Sequence, residues 1–417
     1  MAPRPSTGRT RPALSAAARR REARRRAVRR RQTVAGLTIL ILVVIVTVAL
    51  ASGGGSPQHR TGASSGSGAG TGVNSADGAP AHHGPVNVYA ADTPSDLSPV
   101  VKGDPALVYV PNSLSNTVDV ISQRTFKVVK EFATGGLPQH VTPAWNLKTL
   151  YVDNDDGNSL TPINPRTGQP GTPIPVEDPY NMYFTPDGRY AIVVAERLER
   201  LDFRNSSTMK LVHSLSVPQC FGIDHADFSA NGRYMFASCE FNGRMVEVDL
   251  QTQRVIRTLV LNGGHAAPQD VKLSPDGRVV YTADQDSGGL WEIDPATFRV
   301  IGFLHTGAGA HGLYPSRDAT DMYVSNRAAG SVSVVSFATR KVIKTWQLPQ
   351  PASPDMGGVS ADGKTLWLSG RYNSVVYAIN TQTGRLRAAI PVGDGPHGLC
   401  VWPQPGRYSL GHTGIMR

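Results

Sequence analysis

The chain has 417 residues, of which 40% are hydrophobic and 18% charged, with a formal net charge of +10. The basic excess is local: the first 32 residues hold twelve arginines and one glutamate, so everything after them is close to neutral. The high pI therefore belongs to that tail. Nucleic-acid binding by its arginine run is one reading, but a basic tail directly before an apolar span is more simply explained by membrane topology and anionic lipid, so no nucleic-acid partner is expected. The absence of any sustained 3.6-residue apolar period after the N-terminal region excludes a helical fold.

In chain order, the arginine-rich tail (1–32) is followed at 33–51 by TVAGLTILILVVIVTVALA, nineteen residues without a charge. At 1.5 Å per residue such a helix spans roughly 28 Å, about one bilayer core. Arginines before it and none just after it orient the N-terminus to the cytoplasm and the rest outside. The segment reads as a single-pass signal-anchor, with the tail held against membrane lipid. Ala49-Leu50-Ala51 resembles a small-residue cleavage site, so a cleaved signal peptide is the alternative. Residues 52–86 are rich in Gly, Ser and Ala, contain almost no large apolar residues, and read as a flexible tether with a reach of about 30–35 Å. Residues 87–105 precede the repeats and are expected to pack across one face of the domain the repeats build.

From Tyr109 a tetrapeptide recurs every forty-odd residues: YVPN (109–112), YVDN (151–154), IVVA (192–195), FASC (236–239), YTAD (281–284), YVSN (323–326) and WLSG (367–370), with a degenerate copy at Tyr408. Most copies follow a turn such as TPDG (185–188), SANG (229–232), SPDG (274–277), SRDA (316–319) or SADG (360–363). In these turns Pro presets one φ and Gly accepts a positive one. Within one repeat, 270–305, four short β-branched or aromatic runs are separated by turns, which makes a four-stranded antiparallel blade. Complete units start near His140, Asn181, His225, Asp270, Gly312 and Met356. The first copy lacks an inner strand and the run 397–402 supplies one, so the expected fold is an all-β, seven-bladed propeller over 87–417, closed by strands from both ends of the repeat region.

Aligning the repeats on the start of the second strand shows one position that is polar throughout. His140, Asn181, His225, Asp270 and His397 lie eleven residues upstream of it, and His311 and Asp355 twelve. Innermost strands surround the channel, so these residues are expected to ring one mouth of it. The ends of the second strands add Asn112, Asn154, Glu196, Glu240, Asp284, Arg327 and Arg371 on the same rim, with His265 and Cys220 in neighbouring loops. Imidazoles bind metals and cap haem iron, and carboxylates support such ligands. His140, His225, His311 and His397 are therefore the metal candidates, while Arg327 and Arg371 suit a carboxylate or phosphate. The bland alternative is that a wet channel mouth simply tolerates polar side chains.

Of the three cysteines, Cys220 lies just before an inner strand and Cys239 ends the second strand of the same blade. Antiparallel pairing brings these positions to one rim, so a Cys220–Cys239 disulfide is expected, with Cys400 a buried free thiol. Asp153, Asp155 and Gly157 resemble part of a calcium loop without its terminal bidentate acid and read as a turn. No G-x-S-x-G, H-E-x-x-H or phosphate-binding loop is present.

The tetrapeptides at 109–112, 151–154 and 323–326, with their preceding turns, resemble the YVTN-type β-propeller repeat family across about residues 104–408. The resemblance implies an exported or surface location. It also implies an architecture similar to surface-layer propellers and to haem d1-binding propeller domains, in which mouth histidines serve the cofactor. No C-x-x-C-H is present, which excludes covalently attached haem c. The functional expectation is a membrane-anchored extracytoplasmic propeller that binds a small-molecule or protein ligand at its polar mouth. The alternatives are a metal- or haem-binding cofactor protein and a propeller-type lactonase or hydrolase.

Overall fold

The computed structural model describes residues 87–412 and 414–417. The arginine tail, apolar span and linker lie outside the described residues, and among the described residues no helix is long and apolar enough to cross a membrane. Seven antiparallel sheets are present, in the order the repeats predict. Six begin with an inner strand at Pro138–Pro143, Asn181–Phe184, Ile223–Phe228, Pro268–Leu273, Ala310–Pro315 or Pro354–Val359. The seventh is composite: Cys400–Trp402 pairs antiparallel with Leu107–Asn112, opposing Tyr109 to Cys400 and Leu107 to Trp402. Closure by distant segments removes the edges an open ring would expose.

The repeat signature has a mechanical meaning. In SPDG, the Ser274 hydroxyl donates to Asp276 Oδ1 at 2.6 Å and accepts the Val279 N–H at 2.9 Å, and Gly277 takes the positive φ that ends the turn. The asparagine ending the tetrapeptide ties the second strand to the third: Asn154 Nδ2 donates to Ser159 and Thr161, and Asn326 Nδ2 to Ser331 and Ser333. Asn112 does the same with Thr117 and Asp119. Asn112, Asn154 and Asp284, expected at the channel rim, are thus hairpin stitches; Asp284 Oδ2 accepts the Trp291 indole N–H. Apolar faces pack between neighbouring blades, as where Ile192, Leu201 and Phe203 meet Phe228, Met235 and Val246. Each such buried side chain stabilises by about 1.5–3 kcal/mol.

Two segments lie outside the repeat pattern. The degenerate copy at Tyr408 does not begin an eighth blade. Ser409–Gly411 and Ile415–Met416 form a β-hairpin that joins the inner edge of the Asn181–Phe184 strand, with Gly411 opposite Tyr183. The hairpin starts near the end of the inner strands, where Ser409 N–H bonds Trp145 O, and rises along the channel to His412. It returns to Arg417, which pairs with Asp227 at 2.6 Å. Gly411, at φ +100°, lies so close to Met182 O that a Cβ would come within 2.4 Å of it. Residues 87–105 cover this same end of the channel, with the Tyr89 hydroxyl donating to Leu273 O and Arg417 stacked over the Tyr89 ring.

Candidate histidine centre at the channel mouth

The aligned polar position converges on the axis because of how each inner strand pairs. The ladder between first and second strands breaks at this point in blade after blade: between Pro138 and His140, Ile223 and Ala226, Pro268 and Val271, Ala310 and Leu313, and Pro354 and Gly357. Such an irregularity re-aims side chains. The amide it frees is taken by a serine of the second strand: Ser238 accepts the His225 N–H, Ser325 that of Gly312 and Ser369 that of Met356. The break falls at the same register in each blade, so the offset is real. His140, Asn181, His225 and Asp270 stand two residues before the partner of the second-strand start, and His311, Asp355 and His397 three before it.

His140, Asn181, His225, Asp270, His311, Asp355 and His397 all meet at this end, each no more than 3% exposed. The mouth is a packed cluster of side chains, tighter than the open wet ring the sequence suggested. Neighbouring imidazole centroids are 4.9 Å apart for His140 and His397, 5.3 Å for His140 and His225, and 6.2 Å for His225 and His311. His140 packs directly on Gly398, where any Cβ would fall 2.0 Å from its Cδ2.

A fifth imidazole, missed by the repeat alignment, comes from the C-terminal hairpin. His412 lies 4.6 Å from His225 and 5.2 Å from His140 by ring centroid. The sequence signal for it was slight: one histidine between glycines in the degenerate last copy. Two trios of possible ligands result, His140/His225/His412 and His311/Asp355/His397, each with its ligand atoms within 4.8 Å of one another.

Hydrogen bonds set which nitrogen each ring offers. His140 Nδ1 donates to Tyr180 O at 2.8 Å, and its buried Nε2 has no hydrogen-bond partner. The Asn181 amide is oriented by Met182 N–H, which donates to Oδ1 at 2.9 Å. Asn181 Nδ2 then faces Nδ1 of both His225 (2.9 Å) and His412 (3.0 Å). The far nitrogens of these rings point at carboxylates: His225 Nε2 lies 3.4 Å from Asp224, and His412 Nε2 3.5 Å from Asp270. Burial, with the neighbouring imidazoles His412 and His225, pushes the His140 pKa well below the usual histidine value. Burial lowers His412 too, against the pull of Asp270, so both rings are neutral and ligand-competent at neutral pH.

The other trio is built differently. His397 Nδ1 donates to Gln139 Oε1 at 3.0 Å, and its Nε2 faces Asp355 Oδ2 at 3.6 Å. Asp355 Oδ1 takes Arg327 at 3.1 Å and lies 3.3 Å from His311 Nδ1, while Arg371 stands 4.0 Å from Oδ2. Burial raises the Asp355 pKa, opposed by the two arginines.

The remaining expected residues lie further out. Glu240 accepts from Gln269 Nε2, Glu196 is buried on the adjoining blade, and His265 is exposed on its loop. Cys220 and Cys239 form the expected disulfide, Cα–Cα 4.9 Å, which takes Cys220 out of consideration as a ligand. Cys400 is a buried free thiol whose pKa is pushed up by burial. Asp153 belongs to a strand and accepts from Thr142, and 155–158 is a turn, so no calcium loop forms.

Fold and site together define a seven-bladed propeller whose channel is plugged from one end and closed by imidazoles at the other. The chain belongs to the YNCE-like β-propeller family, whose profile matches residues 87–405. The YncE protein of Salmonella typhi is 26% identical over 136 residues, a stretch covering 32% of this chain and 37% of that protein. The match thus spans just over a third of the relative's length. Hydrazine synthase of Kuenenia stuttgartiensis superposes with a TM-score of 0.58 at 18% identity, covering 70% of this chain and 97% of that one. The dihydro-haem d1 dehydrogenase NirN has a TM-score of 0.55 at 14% identity, covering 74% and 76%. At these identities the likeness is one of fold, and one fold serves many chemistries.

Proposed function

We propose that this protein is a membrane-anchored, extracytoplasmic propeller that binds a late transition-metal ion of the zinc or copper class at His140, His225 and His412. One observation carries the reading: a buried His140 Nε2 without a hydrogen-bond partner, its Nδ1–H fixed on a backbone carbonyl, in a trio with two further imidazoles whose ligand atoms lie within 4.8 Å. An Nδ1–H held by an oxygen acceptor is the arrangement that orients a metal-ligating imidazole, and an all-nitrogen donor set suits these metals. His225 and His412 turn their far nitrogens to Asp224 and Asp270, a pairing that makes each ring a stronger ligand. A cation in this trio takes over the two ring nitrogens that Asn181 now holds with its amide.

The packing favours an ion over a larger guest. The imidazoles face one another inside the channel and are almost wholly buried, so a macrocycle or a protein segment would have to displace the mouth. The apolar span at 33–51, with arginines on one side only, supports the anchored, outward-facing topology, and a disulfide suits an oxidising compartment.

The test is elemental analysis of the full-length protein purified from membranes, before and after equilibration with zinc or copper. One ion per chain is expected, lost in His140→Ala and in His412→Ala. Metal-free protein after equilibration, or metal content untouched by both substitutions, overturns the reading. Protease digestion of intact cells checks topology: a propeller that stays protected overturns the outward orientation.

A further inference from the structure

The mouth is electrically two-sided. Around the ring, the blades of Asn181, His225 and Asp270 carry acids at the ends of their second strands or beside their inner strands: Glu196, Glu240, Asp224 and Asp270. Of these, Asp224 and Asp270 face the His225 and His412 rings, at 3.4 and 3.5 Å. The next two blades carry Arg327 and Arg371, which flank His311, Asp355 and His397.

The basic side has more cations than partners. Two guanidiniums share one carboxylate, and only Arg327 is within hydrogen-bond distance of it. Arg327 Nη2 also donates to Gln285 Oε1, and the Tyr372 ring lies 5.6 Å from its guanidinium carbon. Arg371 Nη1 donates to the Ser113 hydroxyl, a neutral partner. The side chains are 12% and 19% exposed, so both guanidiniums are largely out of water yet reachable at the rim. Two mostly buried guanidiniums that share one carboxylate leave a positive charge whose burial costs free energy, and a bound anion recovers it. This surplus also decides what the His311/Asp355/His397 trio holds: a second metal ion would add two charges to a side already in positive excess.

We infer that Arg327 and Arg371 form a binding site for a small free oxyanion, of phosphate size or below, beside the proposed metal. The guanidinium forks match oxygen pairs on such an anion, and the packed imidazole ring limits its size. The inference rests on the metal reading only for the metal's share of the binding: a divalent ion held by the neighbouring trio would strengthen the attraction for an anion. Arginine recognition of the anion stands without it.

The experiment is calorimetric titration of inorganic phosphate, with acetate in parallel, into the full chain in detergent, metal-loaded and metal-free. Arg371→Gln is the principal variant because that side chain makes no close carboxylate contact; Arg327→Gln is the second. Phosphate affinity is expected to fall by about tenfold or more in each, with metal content at the wild-type level. Crystals of the wild-type chain grown with arsenate give an independent reading, through an anomalous peak between the two guanidiniums. Equal phosphate affinity in wild type and both variants, or no arsenate peak there, overturns the inference. Arginine-dependent phosphate binding to a protein that takes up no metal sinks the metal reading and leaves the anion site standing. A metal-loaded protein that ignores phosphate does the reverse.

Discussion

The two ends of the propeller channel are both lined with buried polar groups, yet only one gathers imidazoles and guanidiniums with bonding capacity to spare. At the far end Asp227 receives Arg417 at 2.6 Å and the Leu273 and Phe228 amides, Arg317 donates to Ser360 O and Val359 O, and Tyr89 is tied to Leu273 O. Apart from Asp92, these groups form closed pairs that seal the termini onto the blades. At the mouth, the His140 Nε2 and Asp355 Oδ2 have no hydrogen-bond partner, and arginines outnumber the carboxylate beside them. Burial of polar groups alone does not mark a site; donors, acceptors and charges left over after counting do.

Removing the hairpin tests the contrast at both ends together. Deletion of 408–417 takes out buried Leu410, Ile415 and Met416 as well as His412. At about 1.5–3 kcal/mol for each of the three apolar side chains, the loss should be about 4.5–9 kcal/mol in denaturant unfolding, with metal binding abolished. Arg417→Met acts on the far end alone. It leaves Asp227 buried with only its backbone donors and should cost about 2–4 kcal/mol, while metal content stays at the wild-type level. Loss of metal in that variant would erase the distinction between the ends.

Asp92 sharpens the comparison, because it is the far end's imperfect member. It lines a small cavity with Lys272, Arg317 and Gln404, its Oδ1 has no hydrogen-bond partner, and burial, opposed by Arg317, raises its pKa from 3.8 to about 6. A carboxyl raised in the folded state stabilises fully below its unfolded pKa, and that contribution is lost as pH rises through the folded value. Wild type should therefore gain about 2 kcal/mol relative to Asp92→Asn as pH falls from 7 to 4, measured as paired unfolding curves. Equal pH dependence of the two proteins would show that this carboxyl does not titrate in that window. At the mouth the expected effect falls on binding more than on stability. Gly398→Ala places a Cβ against His140 and should cost only about 1–3 kcal/mol, yet displace the ring enough to lower metal affinity strongly. A stable variant with full metal content would remove His140 from the centre.

Much of this could be read from the chain. The tetrapeptide period yielded seven sheets and their closure by Cys400–Trp402, because each repeat is a local structure whose turns and β-branched runs act on neighbours in sequence. The same periodicity led to the polar residues of the inner strands, but the register divides them between two successive positions, His140, Asn181, His225 and Asp270 at one and His311, Asp355 and His397 at the one before. Rim logic paired Cys220 with Cys239. The reading failed where position on a strand was taken for role. Asn112, Asn154 and Asp284 occupy the right place at the ends of second strands, but short-range partners five and seven residues away claim them.

What the sequence determined by itself is therefore everything that repeats: blade, turn, ring position and disulfide, each specified within about forty residues. Tertiary structure alone decided the contents of the ring. His412 reaches Asn181 across 231 positions in sequence, carried by a hairpin that obeys no repeat. The division of the mouth into an acidic and a basic side arises only when the blades close. Local pattern sets backbone geometry, but which charges and imidazoles share a buried space depends on contacts between segments that no sequence period connects.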